Sequence, residues 1–214
     1  MPSPPTVVSL DAVRRAGHAQ GARADDDEEL ARGLRERRPW AERLLLERHG
    51  AHVERVLTHI LGNHTDLDDL VQEVFVRALA RVGDLHDASG VKSWLAAFAA
   101  NVAREAIRSR RRRWWQVLQP ADETPDLPAP SASAEDRAAL RAFYDVLGTI
   151  DVDARIAFTL RYVEGMELTE AAAACGVSLA TIKRRIKAAE GAFCALGRSH
   201  EALADWFEEG TRWR

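Results

Sequence analysis

A stretch that cannot belong to any core divides this chain. Between positions 116 and 136 stand four prolines (Pro120, Pro125, Pro128 and Pro130), interspersed with Ala, Ser, Asp and Glu. Proline lacks the amide hydrogen and blocks helix continuation. Small polar residues bring too little apolar surface to offset the entropy of ordering the backbone. Such a composition reads as a flexible tether. On either side of it, apolar residues recur at three- and four-residue steps, the signature of amphipathic helices. No convincing strand pattern appears anywhere. The expectation is an all-α chain, two small helical domains joined by a flexible proline-rich linker. Its divisions are 1–24, small, polar and expected to be disordered; 25–115, the first helical domain; 116–136, the linker; 137–196, the second domain; and 197–214, a tail bearing Trp206, Phe207 and Trp213.

Bulk charge says little about partners. The formal net charge is −3, so the chain as a whole is not drawn to nucleic acid. Its distribution is more telling. Residues Asp25 to Glu29 are all acidic, whereas Lys92 to Trp115 hold seven basic residues against the single acid Glu105. Two cysteines, Cys175 and Cys194, are too few for a disulfide framework and read as reduced thiols. No apolar run approaches the roughly 20 residues that a bilayer span requires. The N-terminus has no basic-then-apolar leader pattern. The expectation is a soluble cytoplasmic protein without membrane insertion.

In the first domain, Leu67, Leu70, Val71, Val74, Phe75, Ala78 and Leu79 form one apolar stripe, with Thr65 or Asp66 placed to cap the helix. The opposite side gathers Asp68, Asp69, Gln72 and Glu73. Acids near a helix N-terminus also serve the dipole, but four polar groups on one face suit a basic partner. Further on, Trp94, Leu95, Phe98 and Val102 make a buried stripe, and Arg104, Arg108 and Arg111 step along a face expected to be exposed. Arg110 to Arg113 exceed what helix capping needs. Guanidinium groups in such a row neutralise phosphates and release counterions. Trp114 and Trp115 follow with rings for stacking.

In the second domain, Leu168 to Cys175 supplies a short helix, Gly176 a left-handed turn, and Ser178 the cap of a second helix. Ile182, Ile186 and Ala189 should face inward, and Ala180, Thr181, Lys183, Arg184 and Lys187 outward. From Leu179 to Ala189 there are four basic residues and no acid. This is the pattern of a helix-turn-helix, whose second helix reads base edges and grips phosphates. One end for a partner and the other for DNA makes an adaptor rather than an enzyme. No phosphate-cradling glycine loop or nucleophile elbow is present, so no catalytic residue is assigned. His49, His52, His59 and His64 cluster in sequence, but no zinc-ligand spacing accompanies them, so neither metal nor cofactor is expected.

The ordered set Asp68-Asp69-Leu70-Val71-Gln72-Glu73-Val74-Phe75, Ser93-Trp94-Leu95, Ala99-Ala100-Asn101, the arginine cluster, Arg161-Tyr162-Val163-Glu164-Gly165-Met166 and Thr181-Ile182-Lys183-x-Arg185 resembles the bacterial RNA polymerase sigma factors of the extracytoplasmic-function group. The resemblance covers about residues 27–115 and 137–196. It implies a protein that binds core RNA polymerase and directs initiation at promoter DNA. Asp68, Asp69, Gln72 and Glu73 would dock on the clamp helices of the largest polymerase subunit. The loop Asp84–Lys92 would receive a flipped base of the −10 element, with His86, Lys92, Asn101, Arg104, Arg108 and Arg111 along that strand. Ser178, Thr181, Lys183, Arg184, Arg185 and Lys187 would read and clamp the −35 element. An anti-sigma protein would be a further partner. The alternative is a helix-turn-helix regulator that binds DNA without entering polymerase, which leaves the acidic helix and the arginine cluster without a task.

Overall fold

The computed structural model describes residues 24–62, 66–85, 90–116 and 134–203, and the side chains within them at 27–62, 66–85, 90–110, 138–200, 202 and 203. All but the last residue of the expected disordered segment 1–24, nearly all of the linker 116–136, and Trp206, Phe207 and Trp213 of the tail therefore lie outside the described residues. Among the described residues every regular element is helical, as the periodicity predicts.

The first unit comprises α1 (Ala24–Arg35), α2 (Pro39–Leu61), α3 (Leu67–Ala80) and α4 (Val91–Gln116), with a 3-10 turn at Val82–Asp84. Pro39 opens α2, where its missing amide hydrogen costs nothing. A Cβ on Gly33 would lie 2.6 Å from the Trp40 ring, so the bare backbone at Gly33 lets α1 close on α2. Asp66, one of the two expected caps, occupies the N-cap position of α3, but its side chain does not accept from the first-turn amides; Thr65 lies outside the described residues. The four helices bury Leu30, Leu45, Val53, Leu57, Val71, Phe75, Leu95 and Val102 together.

The second unit comprises α5 (Ala134–Thr149), α6 (Val152–Phe158), α7 (Leu168–Ala174) and α8 (Leu179–Gly197). A single π turn, Thr159–Val163, extends α6. Asp151 caps α6 by accepting from the amides of Asp153 (3.0 Å) and Ala154 (3.2 Å). A capping box between Glu167 and Glu170 starts α7. Gly176, at φ +63°, makes the tight turn into α8, and Ser178 Oγ accepts from the Thr181 amide at 3.3 Å. These are the turn and cap that the sequence predicts. On the far side of the unit Phe193 stacks on Phe158 (centroids 5.6 Å) and meets Phe143 edge-on (5.2 Å).

The two units do not stand apart. Ile156, Ala157, Leu160, Met166, Ala171, Ala172 and Cys175 join the same buried cluster as the first unit's helices. α4 packs against α6 and α7, and α2 against the π turn. The alanine run Ala171 to Ala174 reads from sequence as a thin core. Its small side chains bring α7 close to α4, and the missing volume is filled from the first unit.

Candidate nucleic-acid interface

Burial of Val71, Val74, Phe75 and Ala78 fixes the roll of α3 and leaves Asp68, Asp69 and Gln72 on the solvent side, with Glu73 half-buried. The predicted acidic face is thus assembled in one place. Glu73 is also an internal partner, because its Oε1 accepts from Arg77 Nε at 2.7 Å. The remaining Arg77 nitrogens donate to both Glu105 oxygens at 2.9 and 2.7 Å, tying α3 to α4. That hydrogen bond is the main reason the Glu105 carboxyl is held below the usual range. Val76 stands three and four residues past Glu73 and Gln72 and is 60% exposed. Sequence reasoning missed it. Its signal was an aliphatic residue on the polar side of an otherwise regular stripe.

Along α4, Asn101 is exposed and its Oδ1 accepts from Arg104 at 2.5 Å. Lys92 is exposed, and its backbone carbonyl lies 3.4 Å from His52 Nε2. Arg108 is largely exposed, in line with expectation. Arg104 is not. Its side chain is only 14% exposed, and Nε donates to Asp153 Oδ1 at 2.7 Å. The periodicity identified the polar side of α4 but not the second unit that covers part of it. His86 and the side chain of Arg111 lie outside the described residues, as do Trp114 and Trp115.

On α8, Ile182, Ile186 and Ala189 are buried, and Ser178, Lys183, Arg184 and Lys187 are exposed with Thr181 partly so. The Ser178 and Thr181 hydroxyls sit 3.0 Å apart at the helix start. Arg185 turns the other way, half-buried, and donates to Asp153 Oδ2 at 3.1 Å. The structure therefore brings five of the six expected −35 residues to one outward face and directs the sixth inward.

Asp153 is the residue at which these elements meet, and it was not singled out from sequence. Burial works to raise its carboxyl, but the Arg104 hydrogen bond and the charges of Arg104, Arg185 and Arg108 outweigh it and hold the group below the usual range. Burial pushes the neighbouring Cys175 thiol up; both cysteines are free. The described histidines do not form a ligand set, and His64 lies outside the described residues. His59 pairs with Glu164 at 2.5 Å, His52 meets Lys92, and His49 is buried. No group of three metal-competent side chains occurs among the described residues. No described helix is long and apolar enough to cross a membrane.

Residues 45–113 match the Sigma-70 region 2 family and residues 140–192 the Sigma-70, region 4 family. The chain is 28% identical to the RNA polymerase sigma factor NccH of Alcaligenes xylosoxydans xylosoxydans, covering 82% of this chain and 96% of that protein. It is 32% identical to the ECF RNA polymerase sigma factor EcfG of Rhodopseudomonas palustris, covering 63% and 73%. Its fold is similar to that of the sigma factor RpoE of Bartonella quintana, solved with the anti-sigma factor NepR, at a TM-score of 0.57 and 25% identity over 72% of this chain and 91% of that one.

Proposed function

The chain belongs to the extracytoplasmic-function group of RNA polymerase sigma factors, and from that premise we propose how its residues divide the work. It binds core RNA polymerase and directs promoter-specific initiation by recognising −10 and −35 elements. The observation that carries this reading is the presence, in one chain and in this order, of a region 2 helix with an acidic solvent face and a region 4 helix-turn-helix with a basic one. A regulator that only bound DNA would not carry region 2.

In this division, residues 25–115 hold polymerase and the −10 element, 116–136 link, 137–196 hold the −35 element, and 197–214 form a tail. Asp68, Asp69, Gln72 and Glu73 meet the polymerase, with the exposed Val76 supplying apolar contact inside the acidic rim. His86, Lys92, Asn101, Arg104, Arg108 and Arg111 line the −10 strand. Ser178, Thr181, Lys183, Arg184, Arg185 and Lys187 take the −35 duplex, where hydroxyls at a helix N-terminus and flanking cations suit base edges and phosphates. The protein acts in the cytoplasm and has no catalytic step of its own, the chemistry being that of polymerase. An anti-sigma protein covers its polymerase-binding faces when it is idle.

Run-off transcription with purified core polymerase over a promoter library tests the reading. Discrete start sites that appear only with the protein are expected. Failure to bind core enzyme at micromolar concentration refutes it.

A further inference from the structure

We propose that an aromatic-walled groove on the second unit is the docking site of the chain's own C-terminal tail, with Trp206 and Phe207 seated against the second half of α8. The groove measures about 310 Å³ and is lined by Phe158, Lys187, Glu190, Gly191, Phe193 and Cys194. Lys187, Glu190, Gly191 and Cys194 follow at steps of three, one and three residues, so they share one stripe of α8. The stacked Phe158 and Phe193 rings supply its apolar wall. Tyr162, 38% exposed and packed on Phe158 at 5.0 Å, stands beside the groove and donates its hydroxyl to Glu190. A space of this size lies at the small end of the range for ligand sites. Walled by rings, it suits bulky apolar side chains better than a polar metabolite. Gly191 adds to this. Glycine inside a helix is unfavourable, yet a Cβ here would meet nothing within 4 Å. No described neighbour requires the bare backbone, which leaves the floor of the groove open to a ring.

The occupant follows from where the described chain ends. Its last turn, Glu201–Leu203, packs against α5 and buries Leu203 completely in the same cluster as Phe158 and Phe193. Trp206 stands three residues further on, a reach of at most about 11 Å. The chain is therefore anchored on the aromatic cluster just before its two bulkiest consecutive side chains arrive. Charge agrees with this placement. Asp205, Glu208 and Glu209 flank the aromatic pair, and Lys187 is the cation of the groove, whose own carboxylate, Glu190, is engaged by Tyr162. Apolar rings on an apolar wall, with acids beside a lysine, make the tail a part of the second unit. It is laid over the helix whose first turns carry Ser178, Thr181 and Arg184. The docking does not depend on whether those residues meet DNA.

The test reads both sides of the contact in the full chain. Cys194 lines the groove and is half-buried, whereas Cys175 is 8% exposed, and both thiols are free. Alkylation by iodoacetamide, followed at each cysteine by peptide mass spectrometry, is compared between the parent and the chain carrying Trp206→Ala and Phe207→Ala together. Cys194 is expected to react about tenfold faster in the variant, the change for a tail docked in roughly nine molecules of ten. Cys175 should stay slow in both, and a rise there reports loss of fold. Gly191→Leu approaches the contact from the other side, filling the groove and leaving the tail unaltered. Chymotrypsin, which cuts after aromatic residues, should then cleave after Trp206 and Phe207 about tenfold faster than in the parent. This arm decides the matter if the double variant unfolds. Equal Cys194 rates with Cys175 slow in both chains, or equal cleavage of the tail with and without Gly191→Leu, overturns the proposal. Protection of Cys194 that survives the double substitution and grows with protein concentration would give the groove to a second copy of the chain, and overturns it too.

Discussion

If the acidic face of α3 docks on polymerase as proposed, reversing Asp69 to Lys should separate docking from folding. Asp69 is exposed, on the side opposite Val71, Val74 and Ala78, and it is not part of the Glu73–Arg77–Glu105 network. An exposed substitution of that kind shifts stability by no more than about 0.5 kcal/mol. For a chain of this length that corresponds to roughly 2 °C in Tm. Glu73→Lys is less clean. It breaks the 2.7 Å contact to Arg77 and places two cations one turn apart. Because both side chains are more than a third exposed, that pair is worth at most about 1 kcal/mol after screening. At a docked interface, by contrast, turning an acid into a base against a basic surface costs several kcal/mol. Taking about 2 kcal/mol as the lower bound, Asp69→Lys should weaken binding to core polymerase by roughly 30-fold. Fluorescence anisotropy with labelled protein measures that loss, and scanning calorimetry measures Tm on the same preparation. An affinity within twofold of the parent would refute the assignment of this face. A fall in affinity matched by a fall in Tm beyond a few degrees would refute the argument that the residue serves docking alone.

The parts of the molecule that were legible in the sequence are those governed by local rules. The Leu67-to-Leu79 stripe set the roll of α3 because a helix has one period and one core. Gly176 and Ser178 were legible because a left-handed turn and an N-cap each admit few residue types. The closure of the two units was not legible. It depends on Asp153, Glu164 and Glu170 meeting Arg104, His59 and Ser93, pairs separated by 49 to 105 positions. No local pattern marks such pairs, because each acid taken alone reads as a cap or a solvated surface group. For the same reason Arg104 was expected to be exposed. Periodicity says which side of a helix is polar, but here part of that side is covered by another polar surface of opposite charge. The cap of α7 shows a different limit. Glu167 is not among the usual N-cap residues, yet its side chain accepts from the backbone amide of Glu170, while the Glu170 carboxylate accepts from the Glu167 amide at 2.9 Å.

Arg184→Ala and Lys187→Ala should each weaken duplex binding and lower the log–log salt slope by about 0.9 per lost phosphate contact; an unchanged slope across a salt titration would mean that the outward face of α8 does not meet DNA. Phe193→Ala removes a ring that is 1% exposed and packed against both Phe158 and Phe143, and it should cost about 3–5 kcal/mol in denaturant unfolding; a loss below about 1 kcal/mol would show that the far side of the second unit collapses around the gap. His49 should make the fold sensitive to mild acid. It is 7% exposed, and among the described residues neither ring nitrogen has a hydrogen-bond partner. Burial first, then the charges of His52, Lys92 and Arg48, push its pKa down from 6.5 to about 4. Between those values the unfolded chain binds a proton that the folded chain refuses, so stability rises with pH. The contribution is complete above the unfolded pKa and is lost as pH falls from about 6.5 toward 4, by up to about 3 kcal/mol at 1.36 kcal/mol per pKa unit. His52 is shifted in the same direction, chiefly by burial, and adds to the slope in that window. Replacing His49 by Leu removes the titrating group and keeps an apolar filling, so urea midpoints taken from pH 7 down to pH 4.5 should fall less steeply in His49→Leu than in the parent. Parallel curves for the two proteins would show that the burial of His49 is not what couples this fold to protons.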